Sequence, residues 1–131
     1  MVAHGTIAFD TLTTSDQVNT GTEKSLDTSY LLNGSLKSWL NMNGQSTIAL
    51  NDSFNIASIA DNGTGSYAAT LSNAMSNSLY ATGGKHNANS SFDANGRVLP
   101  SSTTSVVMYA QANGASVDAS IVTALVSGDL A

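Results

Sequence analysis

The chain has no cysteine, one proline, one tryptophan and four basic residues among its 131 positions. Each scarcity closes off a class of function. Without cysteine there is no disulfide framework, no thiolate metal site and no cysteine nucleophile. The cations Lys24, Lys37, Lys85 and Arg97 are scattered along the chain, whose net charge is −5. Binding nucleic acid needs clustered cations to neutralise phosphates, so nucleic acid is excluded as a partner. No apolar run approaches the roughly 18 residues of a spanning helix, which argues against membrane insertion. The opening MVAHGTIAFD lacks the basic-then-apolar pattern of a secretion signal.

Charged residues make up 10% of the chain, against about a quarter in ordinary globular sequences. Ser, Thr, Asn and Gly take the polar positions instead. Apolar residues reach 41% and recur regularly, so the sequence reads as folded and not as a disordered polar tract. Its length suits a single core. A surface poor in long ionic side chains also suits contact with copies of itself, because few charges must be desolvated.

Asn-Gly pairs at 33–34, 43–44 and 113–114, together with the DNGTG run at 61–65, punctuate short alternating segments. Leu36–Met42 has period two, with Leu36, Ser38, Leu40 and Met42 on one face and Lys37, Trp39 and Asn41 on the other. Strands are also expected at 47–50, 54–59, 67–71 and 105–112, and a strand or irregular edge at 75–80. Residues 82–97 lack periodicity and read as a surface loop. Lys85, His86, Asn87 and Asn89 within it form a candidate recognition loop. Segment 119–127 is apolar on both faces and reads as a central strand, with a helix as the weaker alternative. Residues 1–30 are polar and Thr-rich, an extended N-terminal arm or attachment segment, and 31–131 form the β domain. The expected class is all-β, an antiparallel β-sandwich of jelly-roll type.

No constellation carries chemistry. Asp27, Asp52, Asp61, Asp93 and Asp118 all sit beside turn formers, where carboxylates cap backbone N–H groups instead of pairing for acid–base work. His4 and His86 have no metal-ligand spacing, and no G-x-S-x-G element supports a serine nucleophile. The four N-x-Ser/Thr triplets at Asn33, Asn51, Asn62 and Asn89 are expected by chance in this composition. The reading is therefore of a non-enzyme without cofactor or metal. Trp39, Phe54, Tyr67, Val122 and Leu125 are the expected core or subunit-interface anchors, and exposed Trp39 or Tyr67 stacked on a sugar is the weaker alternative.

The central run KSWLNMNG, then NDSFNIASIADNGTGSY, then NAM, resembles a domain that recurs in bacteriophage virion proteins, especially of marine phages. The matching positions include Lys37, Trp39, Asn41, Asn43, Gly44, Asp52 to Asn55, Ser58, Ile59, Asp61 to Gly65 and Tyr67, and the resemblance extends over roughly 26–131. Met42 stands where that family favours an aromatic, and Asn51 where it favours a base. The resemblance implies a non-enzymatic surface module of the virion, assembled in the host cytoplasm and homotrimeric. Its partners would be other copies, other capsid or tail proteins, and host surface glycans. The short segment before the family-like region favours a capsid decoration or head-fibre protein over the alternative, a tail fibre or receptor-binding tip.

Overall fold

The computed structural model describes residues 11–14, 24–27, 32–87 and 94–131. The chain divides into two compact units, Met1–Ser35 and Leu36–Ala131. In the first, β1 (Thr11–Thr14) pairs antiparallel with β2 (Lys24–Asp27), Thr11 opposite Asp27 and Thr14 opposite Lys24. Most of the expected N-terminal arm lies outside the described residues.

The second unit is all-β, and every strand pairing in it is antiparallel. One sheet orders β4 (Ala49–Phe54), β3 (Leu36–Asn43), β11 (Ile121–Ser127) and β7 (Ala81–Asn87). The other places β9 (Ser105–Ala112) between β8 (Ala94–Ser102) and β6 (Ser66–Leu71), with β5 (Ile56–Asp61) beyond β6. The two-residue β10 (Ala115–Ser116) pairs with the end of β9. Leu40 and Met42 of β3 and Val122, Ala124 and Val126 of β11 share one core with Tyr67, Ala69 and Leu71 of β6 and Val106, Met108 and Ala110 of β9. The period-two pattern explains this division: β6, β9, β11 and β3 from Ser38 onward bury alternate residues, whereas at the start of β3, beside a register shift, Leu36 is exposed and Lys37 buried, the reverse of the expected faces.

The two sheets are joined at a corner that the alternation of D-S-F-N-I does not reveal. Phe54 ends β4 and Ile56 begins β5, so a single residue, Asn55, carries the chain from one sheet to the other. Its φ is +58°, a region that asparagine tolerates better than most residues. Its side chain secures both sides of the bend. Nδ2 donates to the Lys37 carbonyl of β3 at 3.0 Å, while Oδ1 accepts from the Asn73 backbone N–H at 2.8 Å. Asn55→Ala removes these bonds and keeps the strained φ, so a loss of about 2–3 kcal/mol is expected in urea unfolding. Asn55→Gly relieves the φ term and should lose less. Equal losses in the two variants would contradict this account of the corner.

The opposite end of the core is held by Tyr67, whose side chain is fully buried. Its hydroxyl lies 2.9 Å from the Gly44 carbonyl and 3.3 Å from an Asp118 carboxylate oxygen, and it accepts from the Ala119 N–H at 3.2 Å. Asp118 also accepts from the Gly65 N–H at 2.8 Å, and Gly44 N–H donates to the Ala119 carbonyl at 2.9 Å. One phenol thus ties the β3–β4 turn, β6 and the approach to β11 together. Gly44 is required here because a Cβ would stand 2.6 Å from the phenol ring and oxygen.

Two expectations are corrected. Residues 75–80 form no strand beyond a bridge from Met75 to Leu130, because this segment crosses between the sheets. Residues 82–97 are not one loop: β7 and β8 occupy most of the segment, and Pro100 also lies within β8. The Gly83-Gly84 pair reads as a turn in sequence, but in the fold Gly84 is a strand position where the backbone of β11 comes close. A Cβ there would collide with the Thr123 carbonyl.

Candidate functional site

The five expected anchors separate into two groups. Tyr67 and Val122 lie in the core. Trp39, Phe54 and Leu125 lie on the outer face of the four-stranded sheet, with Trp39 half-buried, Phe54 55% exposed and Leu125 44% exposed. Their placement follows from the register. Ser38, Leu40 and Met42 turn inward on β3, so Trp39 and Asn41 face outward. Phe54 is directly opposite Trp39 on one side, and Leu125 is opposite it on the other. Gly83 of β7 completes the row across the sheet.

The adjacent row on the same face is polar. Asp52 is opposite Asn41, Asn41 opposite Thr123, and Thr123 opposite Lys85. An acid therefore stands at the β4 edge and a base at the β7 edge, both exposed. Asn51 donates to the Asn41 side-chain oxygen at 2.9 Å, which steadies the amide in the middle of the row. Thr123 Oγ1 is fixed by β7, donating to the Lys85 carbonyl and accepting from the Lys85 N–H, both at 3.0 Å. The result is an outward face with an apolar row beside a polar row.

The candidate recognition residues do not form a loop. Lys85, His86 and Asn87 lie on β7, and Asn89 lies outside the described residues. Lys85 faces outward. His86 turns toward the other sheet, where Nε2 accepts from the Gln111 N–H of β9 at 3.2 Å. The imidazole lies over Gly96 of β8, where a Cβ would stand 2.5 Å from Cδ2. This side chain closes the edge between the sheets, as does Thr82 Oγ1, which donates to the Val98 carbonyl at 2.6 Å. Asn87 contributes its carbonyl, which accepts from the Ser120 N–H at 3.0 Å.

Beside His86 is a cavity of about 10 Å³ lined by Lys85, Gly96, Arg97, Tyr109 and Thr123 among others, room for about one water. The Arg97 guanidinium stacks 4.5 Å from the Tyr109 ring centre, a cation–π contact across neighbouring strands. Sequence reasoning missed Asp52, Gly83 and Arg97 as members of these surfaces. For Asp52 and Gly83 the signal exists only in the strand register, which sets Asp52 opposite Asn41 and Gly83 opposite the distant Leu125.

Among the described residues, no group of three or more His, Cys, Asp or Glu side chains is placed to hold a metal ion, and no helix is long and apolar enough to cross a membrane. No family model, curated protein or solved structure matches the chain.

Proposed function

We propose that the chain is a non-enzymatic structural protein displayed on a bacteriophage virion, specifically a capsid decoration protein. The supporting observation is the KSWLNMNG…DSFNIASIADNGTGSY motif, whose residues build the architecture that a surface module needs. Trp39 and Phe54 form the outward row, Asn55 makes the corner between sheets, and Gly44, Gly65 and Tyr67 belong to the clamp at the other end. Asp61 and Gly63 shape the β5–β6 turn, with Gly63 N–H donating to the Asp61 carboxylate at 2.9 Å. The residues carrying the resemblance thus specify shape and an outward face.

In this reading the two sheets form a sandwich of jelly-roll type, and residues 1–30 act as the arm that docks on the shell. The partners are capsid proteins and other copies of the chain. A face with few ionic groups fits repeated protein contact, since little charge must be desolvated when copies assemble. Immunogold labelling of intact particles tests the assignment. Label distributed over the heads is the expected result. Label confined to tail tips would replace decoration with receptor binding, and no label on particles would reject a virion role.

A further inference from the structure

The two outward rows have an internal order that a generic apolar face would not need. Across β4, β3, β11 and β7 the first row runs Phe54, Trp39, Leu125, Gly83, from two aromatic residues on one side of the sheet to no side chain at the opposite edge. The second runs Asp52, Asn41, Thr123, Lys85, from acid to base. The sheet has four strands, so its midline passes between β3 and β11. A two-fold axis along that midline, lying between two facing sheets, would set β4 of one copy over β7 of the other and β3 over β11.

We propose that two copies of this chain pack face to face through the four-stranded sheet about such an axis. Phe54 of each copy then enters the gap over Gly83 of the other, and Trp39 meets Leu125. Asp52 meets Lys85, and Asn41 meets Thr123. Every large residue faces a smaller one and each charge faces its opposite, twice over, as a two-fold interface requires. Sheets that pack with their strands nearly aligned keep such rows in register. The apolar row supplies the buried area, while the Asp52–Lys85 pairs fix which of the possible orientations is adopted.

Four strands about 4.8 Å apart and about 20 Å long present roughly 400 Å² of projected area per copy, about half of what a standard specific interface buries on each partner. Weak, concentration-dependent association is therefore expected, with its specificity coming from the paired rows and not from area. The inference deepens the self-association in the functional reading by naming the face and the symmetry, a pair in place of the threefold assembly that the family resemblance implies. It does not depend on where on a particle the chain sits.

Charge exchange in the full chain tests it. By sedimentation velocity across a concentration series, the unaltered chain should pass from monomer to dimer. Asp52→Lys and Lys85→Asp should each weaken association at least tenfold, because each creates two like-charge contacts per pair. The double variant, Asp52→Lys with Lys85→Asp, should recover to within about threefold of the original. Trp39 is the chain's one tryptophan. Its quenching by acrylamide in the unaltered protein should fall as the dimer forms, which tests the face even if a variant fails to fold. A monomer at all concentrations would overturn the proposal, and so would a trimer, a dimer indifferent to the single reversals, or a double variant as weak as the singles. A monomer that still labelled phage heads would remove the pair and leave the decoration role standing.

Discussion

Gly65→Ala is expected to lower stability by more than about 3 kcal/mol. Two costs combine. The residue has φ +66°, where an alanine is strained, and there is no space for the methyl group. A Cβ would collide with the Ala110 carbonyl and stand 2.8 Å from both the backbone nitrogen and the backbone oxygen of Val117. None of these obstacles is a flexible side chain. Gly65 also accepts from the Ala110 N–H at 2.8 Å and donates to Asp118, so any backbone shift that admits the methyl breaks the clamp. Gly63→Ala is the matched control: its φ is +112°, yet its Cβ would meet nothing within 4 Å. Urea midpoints should fall much further for Gly65→Ala than for Gly63→Ala, and similar midpoints would show that strain alone, not the crowded clamp, sets the cost.

Tyr67→Ala is expected to cost about 4 kcal/mol or more, combining the cavity left by a fully buried ring with the lost hydrogen bonds. Tyr67→Phe separates the two terms. It keeps the ring but leaves the Gly44 carbonyl and Ala119 N–H without the phenol, so a loss of about 1–3 kcal/mol is expected. A neutral Tyr67→Phe would show that the clamp is packing alone. The phenol also makes stability depend on alkaline pH. Burial raises the pKa of Tyr67 above its ordinary value of 10.0, and the nearby Asp118 carboxylate adds to the rise while the Ala119 N–H opposes it. Tyr80 is raised by burial as well. A raised tyrosine favours the protonated, folded form. Stability is therefore fully present below pH 10 and is lost as pH rises from there toward the folded-state value. Tyr67→Phe should flatten this alkaline slope, with the remainder coming from Tyr80.

The turns and the β class were legible in the sequence because they rest on local chemistry. Asp61–Gly65 needs only its own residues to form the β5–β6 turn, and the alternation from Ser38 to Met42 depends on a neighbour two positions away. The corner at Asn55 was not legible. The residues that make its bend tolerable, Lys37 and Asn73, each lie 18 positions away in the chain. For the same reason β7 resembled a loop: Gly84 is explained by the backbone of Thr123, which local sequence cannot place.

The outward face was half legible. Trp39 stood out as an anchor on a strand, but 119–127 offered apolar residues on both faces, and composition could not say that Val122 turns inward while Leu125 turns out. That choice is made by antiparallel pairing with β3, where Met42 is buried opposite Val122 and Trp39 is opposite Leu125. His86 was legible as a distinctive residue, but its place on a strand facing the other sheet was not. Its bond to Gln111 bridges strands of different sheets, so its structural role becomes visible only once both sheets are in place.

The central claim is that the chain is a repeated component of a phage shell. Quantitative mass spectrometry of purified particles, measuring this chain against the major capsid protein, tests it most directly. A ratio comparable to that of the capsid protein is the expected result. A ratio near that of tail components would contradict decoration and make the chain a fibre or receptor-binding part, and absence from the particle would contradict the virion assignment altogether.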